Sequence, residues 1–153
     1  WTLTYIDEAK TQIKLTITGN GAMPVLDKGS LPWLEHIASI VEIEVCEGVT
    51  EVGYCAFYGM SSVTKVTLPE GLEKINGYAF YNCWALESIA IPSTVESIGV
   101  QAFKCGITSA VFATTEGWSV NGIAVPAEDM ADSATAAAKL YNDRTYAFTR
   151  TAE

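Results

Sequence analysis

The single histidine of this chain, His36, is of the residue type most often used as a general base near neutral pH. A catalytic triad also needs a nucleophile and an orienting acid that converge on the histidine. Ser39 is close in sequence, but nothing around it marks it as a nucleophile. We interpret His36 as a surface or packing residue, and we predict a protein that is not an enzyme and has no catalytic residues.

Carboxylates are numerous, and Glu42, Glu44 and Glu47 lie on or beside one predicted strand. A glycoside hydrolase holds two carboxylates across a cleft, whereas these glutamates follow the solvent side of a strand. Calcium prefers oxygen ligands, but the sequence contains neither a DxDxDG loop nor a GGxGxD repeat. The sequence therefore favours neither a catalytic pair nor a metal site, and we expect no cofactor.

The cysteines do not have the spacing of a metal site. None of the four forms a CxxC or a Cys/His pattern: Cys46, Cys55, Cys83 and Cys105. We interpret Cys83 as a small apolar core residue. A disulfide between Cys83 and Cys105 is a second interpretation, since spacing alone does not establish the geometry that a disulfide needs.

Aromatic side chains offer recognition chemistry. Tyr58 and Tyr81 occupy equivalent places in consecutive copies of a repeat, and Tyr78 and Trp84 lie close to Tyr81 in sequence. If these side chains face outward, they form an aromatic row of the kind that contributes strongly at interfaces. The alternative interpretation is that they shield the turn side of the fold. Exposure would favour ligand binding, and burial would favour a purely structural role.

An internal repeat positions all of these residues. Three copies lie end to end, at 43–65, 66–88 and 89–109. They read IEVCEGVTEVGYCAFYGMSSVTK, VTLPEGLEKINGYAFYNCWALES and IAIPSTVESIGVQAFKCGITS. A period of this length is typical of a solenoid, in which each coil buries its apolar face against its neighbours.

Each copy opens with an apolar–polar–apolar triplet, which predicts a strand. Stacked coils then form a parallel sheet, and its outward residues are a second candidate binding surface: Glu42, Glu44, Lys65 and Thr67. Later in each copy a phenylalanine follows an alanine and is predicted to fill the core: Phe57, Phe80 and Phe103. Gly and Asn align between these two features, and we predict a left-handed corner there: Gly53, Asn76 and Gly99.

The unit xIxIPxxVxxIGxxAFxxCxxL resembles the BspA-type leucine-rich repeat of bacterial cell-surface proteins. Residues 66–86 follow it nearly throughout, with Asn76 in place of Gly. The other copies depart from it in Cys46 for Pro, Met60 for Cys and the shortened end of the third copy. The resemblance implies an α/β, β-rich repeat fold, a short right-handed leucine-rich-repeat solenoid with a parallel sheet. It also implies a bacterial secreted or cell-surface setting, with a host or cell-surface protein or glycan as partner.

The flanking segments resemble the end units of the same family. We expect an N-terminal β-hairpin cap and a degenerate first coil over 1–42, the solenoid over 43–112, and a C-terminal strand–helix–strand cap over 113–153. End coils expose their core unless atypical units cover them. Asp132 is predicted to cap a helix over 133–141, and the alternation over 146–150 predicts a final strand.

Composition limits the classes of partner. The chain has 49% hydrophobic and 18% charged residues, which is typical of a folded protein. Its net charge of −9 is spread along the chain and argues against a nucleic-acid partner, which needs clustered Lys and Arg. No apolar run approaches the ~20 residues of a membrane span, so we expect no membrane insertion of this segment. The start at Trp1 without Met indicates a mature or trimmed fragment.

These observations predict a surface-exposed binding or adhesion module, expected to be a monomer, that recognises a protein or glycan. One alternative is a structural spacer within a larger cell-surface protein. A glycan hydrolase is the weaker alternative, because it requires a close carboxylate pair in a cleft.

Overall fold

Short strands on two sides of each coil dominate the structure, a computed structural model that describes residues 1–142 and 146–151. In chain order the strands are β1 (Thr2–Tyr5), β2 (Ile13–Ile17), β3 (Gly21–Ala22), β4 (Ile40–Val45), β5 (Val49–Val52), β6 (Lys65–Thr67), β7 (Lys74–Ile75), β8 (Ser88–Ile91), β9 (Ser97–Ile98), β10 (Ser109–Phe112), β11 (Trp118–Val120), β12 (Ile123–Ala124) and β13 (Phe148–Arg150). The helices are a 3-10 turn at Leu34–His36, α1 (Ala127–Ala131) and α2 (Ser133–Asn142).

The first sheet is built from the opening triplets of the coils. Its order is β1-β2-β4-β6, with β1 and β2 antiparallel and the remaining neighbours parallel. β8 and β10 form a separate parallel pair on the following coils. The register aligns Ile43 with Val66, so the predicted parallel stacking of these triplets is confirmed.

A second sheet follows the second apolar pair of each coil, and the sequence pattern did not predict it. Its order is β12-β11-β13-β9-β7-β5-β3, and β5, β7 and β9 run parallel. Val52, Ile75 and Ile98 stand side by side in it and are buried. Strands this short show too little alternation to be recognised in a sequence.

A ladder of aromatic rings runs through the core. Phe57, Phe80 and Phe103 are fully buried, and each stacks on the next with ring centroids 5.2 Å apart. Trp33 continues the ladder, 5.9 Å from Phe57. The phenylalanines therefore fill the core as predicted, and the segment before the first clear repeat contributes a ring to the same ladder.

The predicted left-handed corner at Gly53, Asn76 and Gly99 is wrong in its position. None of the three has a positive φ. The left-handed residues lie two positions later in every coil, with φ of 56°, 58° and 53° at Cys55, Tyr78 and Gln101. The corner is therefore made by non-glycine residues, and the glycines need another explanation.

Close approach between coils explains the glycines. A Cβ on Gly53 would lie 2.6 Å from the Pro24 carbonyl oxygen. A Cβ on Gly99 would overlap the backbone of Gly77 in the preceding coil. Asn76 stands at the equivalent place in the middle coil, and its side-chain amide donates to the Val52 carbonyl oxygen at 2.9 Å. A side chain at Gly53 or Gly99 would meet backbone atoms, whereas the middle coil accommodates one.

The C-terminal segment extends the second sheet with its strands and packs a helix against β10. Helix α2 begins at Ser133 as predicted, and the Asp132 carboxylate accepts a hydrogen bond from the Thr135 backbone N–H at 2.8 Å. A hydrogen bond from the Thr135 side chain, together with this one from its backbone N–H, lowers the pKa of Asp132. The helix packs against β10 and buries Ala136, Ala137 and Leu140. The predicted final strand is present as β13, which pairs antiparallel with β9 and β11.

Arg150 ties β13 to the last coil, and its removal is expected to loosen that end. Its guanidinium donates to the carbonyl oxygens of Ser93 at 2.6 Å and Val95 at 3.1 Å. Hydrogen bonds from a charged donor are the stronger kind. We expect Arg150→Ala to lower the free energy of unfolding by about 1–2 kcal/mol in urea titration, since the site is partly open to water. Lys139→Ala, which removes a surface ion pair with Asp129, is the control and should cost under ~1 kcal/mol. Equal effects would contradict the anchoring role of Arg150.

Candidate functional site

Four tyrosines from two consecutive coils form one cluster, which we call the tyrosine cluster. Tyr58 and Tyr81 stack with centroids 5.2 Å apart and planes at 4°. Tyr78 lies 5.5 Å from Tyr81, and Tyr54 meets Tyr78 edge-on at 5.5 Å. Tyr54 is 44% exposed and the other three are half-buried. The cluster is thus a continuous aromatic surface that reaches solvent.

Backbone hydrogen bonds between coils hold the stacked pair in place. The Phe57 N–H donates to the Ala79 carbonyl oxygen at 2.9 Å, and the Gly59 N–H donates to that of Tyr81 at 2.8 Å. Tyr58 therefore lies directly beside Tyr81, one coil away. Because each tyrosine follows a buried phenylalanine, its own ring points away from the core.

A loop from the N-terminal segment completes a pocket over these rings. The pocket has a volume of about 630 Å³, and its lining adds Val25, Leu26, Asp27, Lys28 and Cys55 to the four tyrosines. The Lys28 ammonium lies 5.2 Å from the centroid of Tyr58, within the range of a cation–π interaction. Cys55 is buried at the edge of the pocket, and burial raises the pKa of its thiol. The pocket is mainly aromatic, with one carboxylate and one ammonium at its rim.

The structure brings together three of the four aromatic residues singled out from the sequence. Tyr58, Tyr78 and Tyr81 share the cluster, whereas Trp84 does not line the pocket. Trp84 is instead 53% exposed, outside the pocket. Tyr54 was missed because its equivalents in the next coils are Gly77 and Val100, so no recurrence pointed to it.

The outer face of the first sheet is arranged as predicted, but its charges neutralise one another. Glu42 aligns with Lys65 and Glu44 with Thr67. The Lys65 ammonium lies 3.6 Å from a Glu42 carboxylate oxygen, and that of Lys14 lies 2.6 Å from Glu44. The bond to Glu44 raises the pKa of Lys14. The charges on this face are paired with one another, so it offers less to a ligand than the tyrosine cluster does.

The other polar candidates do not converge on a site. His36 is exposed at the end of the 3-10 turn. Over residues 1–142 and 146–151, no group of three His, Cys, Asp or Glu residues could hold a metal ion. Within the same residues, no helix has the length and apolar character to cross a membrane.

The cysteines are core residues. All four are free thiols, so the disulfide between Cys83 and Cys105 is not present. Cys83 is fully buried, and its thiol donates to the Phe57 carbonyl oxygen at 3.2 Å. Burial raises the pKa of Cys83 strongly and that of Cys105 to about 11. The interpretation of Cys83 as a small apolar core residue is confirmed.

Thiol reactivity should reflect this burial. At pH 8 a disulfide reagent is expected to modify the half-buried Cys46 first and to leave Cys83 and Cys105 unmodified until the chain unfolds. Rapid modification of all four thiols in the folded chain would contradict the burial.

The buried Cys105 also predicts a dependence of stability on pH. Its folded pKa of about 11 lies above its ordinary value of 9.0, so the folded state keeps that proton to higher pH than the unfolded state does. The free energy of unfolding is therefore expected to fall as the pH rises from about 9 to 11.

Stacked coils, parallel sheets and a repeating apolar ladder define a β-rich leucine-rich-repeat fold with few helices. A family model described as BspA type leucine rich repeat region (6 copies) matches residues 34–121, which is more than half of the chain. The chain belongs to the BspA-type leucine-rich-repeat family. Leucine-rich-repeat domains are in general modules of protein interaction.

Two solved bacterial leucine-rich repeat proteins match parts of the chain. A leucine-rich repeat protein from Eubacterium ventriosum matches with a TM-score of 0.51 and 23% identity, over 68% of this chain and 36% of that chain. One from Bacteroides ovatus matches with a TM-score of 0.47 and 22% identity, over 72% of this chain and 35% of that chain. The chain thus spans about a third of the length of these two proteins. No curated protein matches the chain significantly.

Proposed function

We propose that this chain is a non-enzymatic binding or adhesion module that recognises a protein or glycan partner through the tyrosine cluster. The observation that carries the proposal is the cluster itself: four contacting tyrosine rings around a pocket of about 630 Å³ that opens to solvent. Tyrosine contributes a large contact area at a small loss of side-chain entropy, and it recurs where interfaces concentrate their binding energy.

The proposal extends to the cellular location of the chain, its oligomeric state and its end caps. Proteins with BspA-type repeats are typically bacterial surface proteins, which supports a secreted or cell-surface location for this chain. We further propose a monomeric, right-handed solenoid whose hairpin β1–β2 and segment 113–153 act as caps. A capped solenoid keeps its end coils from pairing with other chains and leaves its side faces free for a ligand.

A binding screen with matched aromatic variants tests the proposal. The purified chain is screened against host matrix proteins and a glycan array, beside Tyr58→Ala/Tyr81→Ala and Trp84→Ala. We expect saturable binding that falls at least tenfold in the double tyrosine variant and stays within about twofold in Trp84→Ala, since Trp84 lies outside the pocket. A thermal melt of each variant establishes that it is folded.

Two other outcomes would change the assignment. Binding lost in Trp84→Ala but kept in the tyrosine variant would move the contact surface away from the pocket. The absence of any saturable binding up to high micromolar concentration would overturn the proposal in favour of a structural spacer. The charge-paired outer strand face is compatible with such a spacer.

A further inference from the structure

Lys28 already places a cation in the tyrosine cluster. Its ammonium lies 5.2 Å from the Tyr58 centroid, on a loop whose residues 27–30 are exposed. In residues 1–142 and 146–151 the ammonium makes no ion pair with a carboxylate. The Lys28 ammonium therefore lies over the Tyr58 ring on an exposed loop, where solvent and ligands can compete for its place.

A second cation–π contact, between Lys104 and Tyr141, provides a comparison with that of Lys28. The Lys104 ammonium lies 3.5 Å from the centroid of Tyr141, and it is buried without a hydrogen-bond partner among residues 1–142 and 146–151. That contact is short and buried from solvent. The contact of Lys28 is longer, and Val25 beside it in the loop is 82% exposed. The two geometries point to different roles.

We infer that the tyrosine cluster binds a lysine or arginine side chain of a basic protein segment, and that Lys28 occupies this place in the free chain. The inference rests on the proposed binding function and specifies its ligand. Once Lys28 swings out, four ring systems and the Asp27 carboxylate remain around the pocket. One Asp27 oxygen accepts from the Gly29 N–H at 2.9 Å, and a carboxylate is the group that pairs best with a guanidinium.

Charge and ring geometry favour a cation over a neutral sugar. The chain carries a net charge of −9, which attracts a basic partner at long range. Tyr58 has one face against Tyr81, and the Lys28 ammonium lies over its ring. A ligand that takes this place must replace the attraction that Lys28 loses. A guanidinium or ammonium does so, whereas a neutral sugar supplies only stacking.

Calorimetric titration with a tetra-arginine amide peptide tests the inference, and the tetra-citrulline peptide is the neutral ligand of the same shape. We expect the arginine peptide to bind and the citrulline peptide to bind at least tenfold more weakly. Lys28→Met keeps the stem and removes the competing cation, so it should tighten binding about two- to fivefold. Lys10→Met makes the same charge change on the distant β1–β2 turn and corrects for net charge.

Variants of Tyr58 distinguish the contribution of its aromatic ring to binding from that of its hydroxyl group. Tyr58→Phe should bind the arginine peptide within about twofold of the original chain, and Tyr58→Leu should bind at least fivefold more weakly. Equal binding of both peptides, or the same effect of Lys28→Met and Lys10→Met, would overturn the inference. Tyrosine-dependent binding of a neutral glycan without binding of the arginine peptide would also overturn it, and would leave the proposed binding function standing. If the peptides, the matrix proteins and the glycans all failed to bind, both the inference and the proposed binding function would be overturned.

Discussion

Replacement of Phe80 by alanine is expected to lower the free energy of unfolding by about 3–5 kcal/mol. Phe80 is fully buried and stacks on Phe57 and Phe103, each at 5.2 Å between centroids. Its removal leaves a cavity in the middle of the ladder, and the coils on both sides lose a contact. Hydrogen bonds between the coils fix the spacing of their backbones, so the coils are not expected to move in and fill the cavity.

Urea titration followed by circular dichroism measures this loss. Val111→Ala is the control, because Val111 is 56% exposed on β10 and its truncation should change stability by under ~0.5 kcal/mol. A loss below about 1 kcal/mol for Phe80→Ala would mean that the coils close over the missing ring. It would also count against the ladder as the main source of stability.

Gly99→Ala is expected to lower the free energy of unfolding by about 3 kcal/mol, the upper end of the usual cost of inserting a methyl group into a packed core. The added methyl group would overlap the backbone of Gly77 and Asn76 in the preceding coil. Backbone atoms cannot rotate away as a side chain does, so the two coils must separate. That separation would weaken the pairing of β7 with β9, including the neighbours Ile75 and Ile98.

Gly29→Ala is the matched control for a glycine that needs neither space nor a positive φ. A Cβ there would lie 3.6 Å from the Asp27 side chain, an ordinary contact, and Gly29 is not left-handed. We expect a change within about 0.5 kcal/mol, compared by thermal and urea unfolding. If the two alanine variants were equally stable, close approach between coils would not be the reason for glycine at position 99.

The repeat is what made the core predictable. A side chain that recurs in every copy faces the same surroundings in every coil, so an apolar ladder in the sequence becomes an apolar ladder in space. Phe57, Phe80 and Phe103 follow this rule, and so does Cys83 with its neighbour Met60. The misplaced left-handed corner has a physical cause. A spacing that recurs from copy to copy indicates that a position is special without saying whether backbone twist or lack of space is the reason, and at Gly99 the reason is lack of space.

The sequence alone determined the repeat period, the inward residues, the family and the equivalence of Tyr58 with Tyr81. Only the tertiary structure decided that Tyr54 joins them, that Trp84 does not, and that Lys28 lies over the ring of Tyr58. The physical reason is that the pocket combines one recurring pair with residues that occur once, including a loop from outside the three clear copies. Contacts of that kind leave no period in a sequence, and they depend on how the N-terminal segment folds against the coils.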